Sequence, residues 1–225
     1  MRRIFTLCLF SLCLAACLPV KFSITTFPVE GQPTRTATPQ LEFTPIPSFT
    51  PAPGGSVVLD FVARLCDAKW SNGAQAITTC PITTADQSGG FASRLDPLPE
   101  GLQADTPVLL TIPGWNGSSA IFLRYPAVTL QADDRFRATL GCKRTIRCDV
   151  QFGLEYFDSA GNYHTAFQVW NYKTGDASIS ADADLSALAG QPVELVLVLR
   201  IFHNLASAGQ DNGLWIAPQI FRPAP

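Results

Sequence analysis

The chain has 225 residues, a formal net charge of −2 and only 15% charged residues. It contains no basic block that would displace counterions from a phosphate backbone, so the composition disfavours nucleic-acid binding. Hydrophobic residues make up 47% of the chain, which is enough for one globular domain with a complete core.

The N-terminus has the pattern of a secretory signal peptide over residues 1–16. A basic start, Met1-Arg2-Arg3, is followed by an uncharged apolar run from Ile4 to Ala16. This run is shorter than the roughly 20 residues that a transmembrane helix needs. The segment Leu14-Ala15-Ala16-Cys17 resembles the lipobox of bacterial lipoproteins. The resemblance implies that Cys17 is lipidated and that the mature protein is an extracytoplasmic, membrane-anchored lipoprotein.

Residues 17–54 are predicted to form the lipidated N-terminus and a disordered linker. Seven prolines and seven threonines occur between positions 23 and 54. Proline lacks a backbone donor and favours extended polyproline conformations, so this segment is unsuited to a sheet. Gly54-Gly55 marks its end, and the folded domain is expected at residues 55–225.

Cysteine usage fits an exported protein. Besides Cys17 and two cysteines within the signal peptide, the chain holds Cys66, Cys80, Cys142 and Cys148. Four cysteines in an oxidising compartment predict two disulfides with three possible pairings, and proximity along the chain favours 66–80 and 142–148. A zinc site is the competing interpretation, although these spacings lack a CxxC motif.

After residue 55 the pattern changes to short apolar segments separated by turns, which predicts an all-β domain. Asp149–Phe157 alternates cleanly, and the turn at residues 159–162 joins it to a second strand, Tyr163–Tyr172, as in a hairpin. Val193–Phe202 is apolar on both faces and predicts a central strand. The only helical signal is a short one at residues 184–190. Further strands are predicted at 57–62, 75–79, 108–112, 120–125, 127–130, 136–142 and 214–221. The expected fold is an antiparallel, jelly-roll-like β-sandwich.

Four segments of the predicted domain form a recognisable set: Asp133–Ala138, Val150–Tyr156, Asp184-Leu185-Ser186 before the strand Val193–Phe202, and Asp211–Pro218. Together they resemble the jelly-roll carbohydrate-binding modules of the galactose-binding-like type. The resemblance covers roughly residues 127–222 and implies a jelly-roll β-sandwich that binds sugars. The chain also resembles uncharacterised domains of stalked bacterial lipoproteins.

Strand alternation predicts a polar surface suited to a sugar, whose apolar ring face is bordered by hydroxyl groups. If Val150, Phe152, Leu154 and Tyr156 face the core, Gln151 and Glu155 face outward. On the next strand, Thr165, Phe167 and Val169 are expected inside. An aromatic residue in the turn-rich loop around Trp115 is a further candidate contact, whereas Trp70 and Trp215 are expected in the core. The predicted ligand-binding residues are Trp170, Gln168, Glu155, Gln151, Arg137 and Trp115.

Three functions remain open at this point. The favoured one is a non-catalytic carbohydrate-binding module, and the alternative is a protein-interaction or structural domain with an ordinary solvated sheet face. An exported hydrolase is the third, although the chain has no GxSxG, HExxH or phosphate-loop motif. No cofactor is expected. A structural Ca²⁺ site is conceivable because carboxylates recur in the loops, at Asp176, Asp182, Asp184 and Asp211-Asn212.

Overall fold

The structure is a computed structural model that describes residues 54–74, 76–77, 80, 90–96, 98, 102–114, 119–143, 148–202 and 211–224. The predictions for the signal peptide, Cys17, the linker up to residue 53 and Trp115 therefore lie outside the described residues. Within those ranges, no helix is long and apolar enough to cross a membrane.

Thirteen strands and two 3-10 turns, Leu65–Asp67 and Ser186–Leu188, make up the regular structure of the described residues. The second turn coincides with the short helical signal of the sequence. The strands are β1 (Ser56–Asp60), β2 (Lys69–Ser71), β3 (Ala76–Ile77), β4 (Gly90–Arg94), β5 (Val108–Pro113), β6 (Ala120–Arg124), β7 (Val128–Thr129), β8 (Arg135–Cys142), β9 (Asp149–Phe157), β10 (Tyr163–Lys173), β11 (Ile179–Asp184), β12 (Pro192–Ile201) and β13 (Gly213–Arg222).

The strands form two antiparallel sheets, which confirms the predicted β-sandwich. One sheet has six strands in the order β11-β8-β13-β5-β4, with β1 also paired to β13. The other has seven strands in the order β10-β9-β12-β6-β2-β3, with β7 also paired to β12. The strand β12 is central, between β9 and β6, and five consecutive residues from Leu195 to Leu199 are buried. Its apolar sequence therefore matches its position, as predicted.

Aromatic side chains from both sheets meet in the core. The rings of Phe152 and Trp215 lie 4.8 Å apart, and those of Phe61 and Tyr125 lie 4.7 Å apart, both edge to face. Trp215 is fully buried, and its indole nitrogen donates a 3.1 Å hydrogen bond to Thr111 Oγ1. Trp70 is also buried and donates to the carbonyl of Leu65. Both tryptophans are core residues, as predicted.

Two strands of the six-stranded sheet, β4 and β11, were not predicted. The strand β11 has the sequence ISADAD, in which small and acidic residues alternate and which has little intrinsic β-propensity. Its place is set by packing, because Ala181 and Ala183 are buried against the core. The register supports this, since the strand pairs with β8 over its whole length.

Both predicted disulfides are confirmed. Cys66 is bonded to Cys80, and Cys142 is bonded to Cys148, with sequence separations of 14 and 6. The first joins the segment before β2 to the segment after β3, and the second joins the end of β8 to the start of β9. The zinc alternative is wrong for these four cysteines.

Candidate functional site

The outer side of the seven-stranded sheet carries an unusual concentration of aromatic and paired charged side chains. We call it the β9–β12 face. On β6, β9 and β12 it alternates with core-facing residues that are mostly buried. Its residues are Phe122 and Arg124 on β6; Gln151, Gly153, Glu155 and Phe157 on β9; Tyr163, Val169 and Asn171 on β10; and Glu194, Val196, Val198 and Arg200 on β12.

Glu155 lies at the centre of this face and is only 1% exposed. Arg200 forms a two-point ion pair with it, with distances of 2.8 Å from Nη1 to Oε1 and 3.0 Å from Nη2 to Oε2. The backbone N–H of Ala166 donates to Oε1 at 3.2 Å, and the hydroxyl of Tyr163 donates to Oε2. The carboxylate of Glu155 therefore accepts hydrogen bonds from four donors. Burial alone would raise the pKa of Glu155, but these bonds hold that pKa below its usual value.

Tyr163 provides the exposed aromatic surface of the face. Its ring stacks on Phe157, with centroids 4.6 Å apart, and the guanidinium of Arg124 lies over Phe157 at 3.7 Å. Tyr163 remains 38% exposed. Burial and the Glu155 carboxylate both raise the pKa of Tyr163, so its hydroxyl remains a protonated donor.

Polar side chains also lie on this face. The amide of Gln151 donates a 3.1 Å hydrogen bond to the side-chain oxygen of Asn171 across two strands. Arg124 is paired with Glu194, with Nε to Oε2 at 2.7 Å. The face therefore combines a partly exposed aromatic ring with amide, guanidinium and carboxylate groups held by hydrogen bonds.

The predicted outward orientation of Trp170 and Gln168 is wrong. Trp170 packs against the core, 5.8 Å from the ring of Phe136. In the register of the hairpin, Trp170 pairs with Phe152 and Gln168 pairs with Leu154, so both lie on the core-facing side. The register of the turn causes the inversion, because Tyr163 pairs with Phe157 and His164 with Tyr156, which puts the even-numbered residues of β10 on the core-facing side. The bulge that follows adds two residues to β10 and therefore keeps them on that side. Between the pairs His164–Tyr156 and Gln168–Leu154, β10 advances four residues while β9 advances two.

The predicted grouping of Arg137 with Glu155 is also wrong. Arg137 lies on β8, which belongs to the six-stranded sheet, so it is on the opposite side of the sandwich. Its guanidinium lies 4.7 Å from the ring centroid of Phe221, and its Nε lies 3.5 Å from Asp182. Of the six predicted contacts, only Glu155 and Gln151 lie on the β9–β12 face, and Trp115 lies outside the described residues.

The surroundings of Glu155 make it unsuited to acid–base chemistry. Glycoside hydrolysis needs two carboxyl groups flanking an accessible bond, and this carboxylate is buried and fully hydrogen-bonded.

The carboxylates considered for calcium also have other contacts. Asp176 accepts the N–H of Lys173, Asp182 pairs with Arg135, and Asp184 accepts the N–H of Ser186. No group of three or more metal-ligating side chains occurs among the described residues.

Tyr163, Arg200, Arg124, Glu194 and Phe157 were not identified from the sequence. A signal for Tyr163 was present. The hairpin is closed by the loop Asp158-Ser159-Ala160-Gly161-Asn162. The N–H of Asp158 donates to the carbonyl of Asn162, the N–H of Gly161 donates to the carbonyl of Asp158, and Gly161 has a positive φ. Counting outward from that loop pairs Tyr163 with Phe157. Phe157 follows from the alternation along β9, whereas Arg200, Arg124 and Glu194 require knowledge of the strand order.

Comparison with known proteins gives only distant similarities. No protein-family model and no curated protein matches the chain. Among solved structures, TmCBM61 in complex with β-1,4-galactotriose is 8% identical, with a TM-score of 0.41, and covers 75% of this chain and 99% of its own. The CBM22-1 xylan-binding domain from Paenibacillus barcinonensis Xyn10C is 13% identical, with a TM-score of 0.41, covering 77% and 97%.

A third similar structure is the C-terminal extracellular domain of Mycobacterium tuberculosis EmbC, which is 21% identical, with a TM-score of 0.33, and covers 74% of this chain and 61% of its own. The structural neighbours thus include carbohydrate-binding modules with a β-sandwich fold.

Proposed function

We propose that this chain is a non-catalytic, extracytoplasmic binding module that is anchored to a membrane through Cys17 and binds carbohydrate on the β9–β12 face. The observation that carries the proposal is the partly exposed ring of Tyr163, which its contacts with Glu155 and Phe157 hold in place on a face that also carries polar side chains. A rigid aromatic surface loses little conformational entropy on binding. The ring supplies apolar contact for a sugar, and the neighbouring groups supply hydrogen bonds to hydroxyls.

The connection of the domain to its linker supports display of this face. The first strand, β1, pairs with the end of β13, with Ser56 opposite Arg222. Both strands belong to the six-stranded sheet, whereas the β9–β12 face is on the other sheet. The first strand of the folded domain therefore lies in the sheet that does not carry the proposed site. The two disulfides fit an oxidising compartment outside the cytoplasm.

A glycan array with the purified full-length protein, followed by titration calorimetry, tests this proposal. Tyr163→Ala is expected to lower the affinity for a bound glycan about tenfold, the effect of losing ~1.4 kcal/mol of ring contact. Tyr163→Phe keeps the ring and serves as the matched control, with affinity close to that of the wild type. Absence of binding to plant, fungal and bacterial glycans, or unchanged affinity in Tyr163→Ala, would contradict the proposal.

The second candidate is a protein-interaction surface. Val169 is 42% exposed on this face, and Phe202, immediately after β12, is 58% exposed. Exposed apolar side chains of this kind are typical of protein interfaces. A partner protein whose binding is lost in Val169→Asp, in the absence of any glycan ligand, would favour this alternative.

A further inference from the structure

Both arginines of the β9–β12 face are neutralised by a carboxylate on a neighbouring strand. Arg200 forms its two-point pair with Glu155, and Arg124 donates through Nε and Nη2 to one oxygen of Glu194. The face as defined above therefore holds two positive and two negative side chains. Lys69 on β2, opposite Arg124 in the register, is an exposed cation at its margin.

The pairing leaves hydrogen-bond donors exposed although the charge is neutralised. A guanidinium has five N–H groups, and each pair uses two of them. Arg200 and Arg124 remain 28% and 33% exposed, so part of each group faces solvent. The exposed N–H groups of these arginines are available to donate to sugar hydroxyl groups. A ligand carboxylate at the same position is also repelled by the negative charge of the paired glutamate. Sites for acidic polymers, in contrast, carry an excess of positive charge.

We propose that Glu194 and Glu155 are specificity-determining residues that restrict the β9–β12 face to uncharged glycans and exclude those that contain uronic acids. This inference rests on the proposed carbohydrate binding and specifies its ligand class. Glu194 is the accessible member of the two, at 27% exposed, whereas Glu155 is buried and also holds Tyr163. Removing the charge of Glu194 leaves Arg124 in place, because its guanidinium still lies over Phe157.

Glu194→Gln tests the inference, and Asp182→Asn is the matched control. Asp182 pairs with Arg135 on the opposite sheet, so the control makes the same change in net charge away from the face. The probes are neutral galactan, glucan and xylan hexasaccharides and, as the acidic probe, hexagalacturonate. Binding is measured by calorimetry at about 20 mM and about 300 mM NaCl, because unpaired charges show salt-dependent binding.

The wild type is expected to bind a neutral probe with an affinity that salt hardly changes, and to bind hexagalacturonate weakly. Glu194→Gln is expected to bind hexagalacturonate about fivefold more tightly than the wild type at low salt, which corresponds to the ~1 kcal/mol between unit charges 4 Å apart in water. The gain should disappear at high salt, and Asp182→Asn should match the wild type.

Two results would overturn the inference while leaving carbohydrate binding intact: preferential binding of hexagalacturonate by the wild type, or unchanged selectivity in Glu194→Gln. Binding of neither class by the wild type would overturn the proposed function together with the inference.

Discussion

Arg200 extends over the neighbouring strand β9 to form a two-point ion pair with Glu155. The absence of a side chain at Gly153 leaves room for the guanidinium. The two residues are 45 positions apart, and in the register Arg200 lies opposite Gln151 while Glu155 lies opposite Val196. The arginine must therefore run diagonally over Gly153. A Cβ at Gly153 would lie 3.3 Å from Arg200 Nη1, 3.5 Å from Val198 Cβ and 3.6 Å from Glu155 Oε1. The glycine thus maintains the ion pair that positions Tyr163.

Gly153→Ala is predicted to displace the guanidinium and to lower the free energy of unfolding by about 1–3 kcal/mol, the cost of leaving a buried polar group poorly paired. Urea denaturation measures this change. Gly141→Ala is the matched control, because nothing lies within 4 Å of a Cβ at Gly141, also in a strand. Equal effects of the two substitutions would show that the path over Gly153 has no special role.

Acidification is predicted to destabilise the domain through Glu155 and Asp134. Burial would raise the pKa of Asp134, but the two-point pair with Arg222 and the N–H of Gln131 lower it. The pKa of Glu155 is lowered as well. A carboxyl group whose folded pKa is below its unfolded pKa stabilises the fold above the unfolded pKa, about 4, and this contribution is lost as the pH falls through the folded pKa.

Urea denaturation from neutral pH down to about pH 3 measures this loss. The variant Glu155→Gln should be less stable than the wild type at neutral pH, because Arg200 loses its charged partner. Its stability should also fall less steeply on acidification. Parallel pH profiles for the two proteins would exclude a contribution from Glu155.

Trp170→Ala is predicted to affect stability rather than to remove an exposed ligand contact. Its ring packs on Phe136 and the core, so truncation should cost about 3 kcal/mol. The adjacent Val169→Ala, at an exposed position, should change the free energy of unfolding by less than about 0.5 kcal/mol. Chemical denaturation compares the two. A fully stable Trp170→Ala protein would mean that the side chain is not part of the core.

Loss of the disulfides is predicted to have unequal effects. In the chain-entropy description, the 66–80 bond contributes about 3 kcal/mol and the 142–148 bond about 2 kcal/mol, because the first closes the longer loop. The paired substitutions Cys66→Ser with Cys80→Ser, and Cys142→Ser with Cys148→Ser, can be compared by chemical denaturation. Peptide mapping without reductant should recover both bonds, and free thiols at either pair would contradict the assignment.

Cys17→Ser is predicted to release the protein from membranes, because it removes the thiol to which the lipid would be attached. Fractionation of the producing cells, with mass spectrometry of the mature N-terminus, measures the outcome. Wild-type protein that is recovered with an uncut leader, or a Cys17→Ser protein that stays in the membrane fraction, would contradict lipid anchoring.

The sequence by itself determined the all-β class, both disulfide pairs and the core role of strands such as β9 and β12. These properties depend on local pattern: the alternation along Asp149–Phe157, the continuous apolar run in β12 and the short separations between paired cysteines. Each of these patterns involves residues that are close together in the sequence, so the corresponding property can be predicted without knowledge of the rest of the chain.

The tertiary structure decided which strands contribute to the β9–β12 face and how they are aligned. The bulge in β10, where Ala166 has a φ of 55°, moves Val169 from a position opposite Gln151 to one opposite Gly153, and no glycine or proline marks it. The strand order separates Arg137 from Glu155. The contact between Glu155 and Arg200 joins strands that are distant in sequence. Such pairs depend on the strand order, because the charge of a buried side chain must be compensated by a partner, and here that partner comes from a strand distant in sequence.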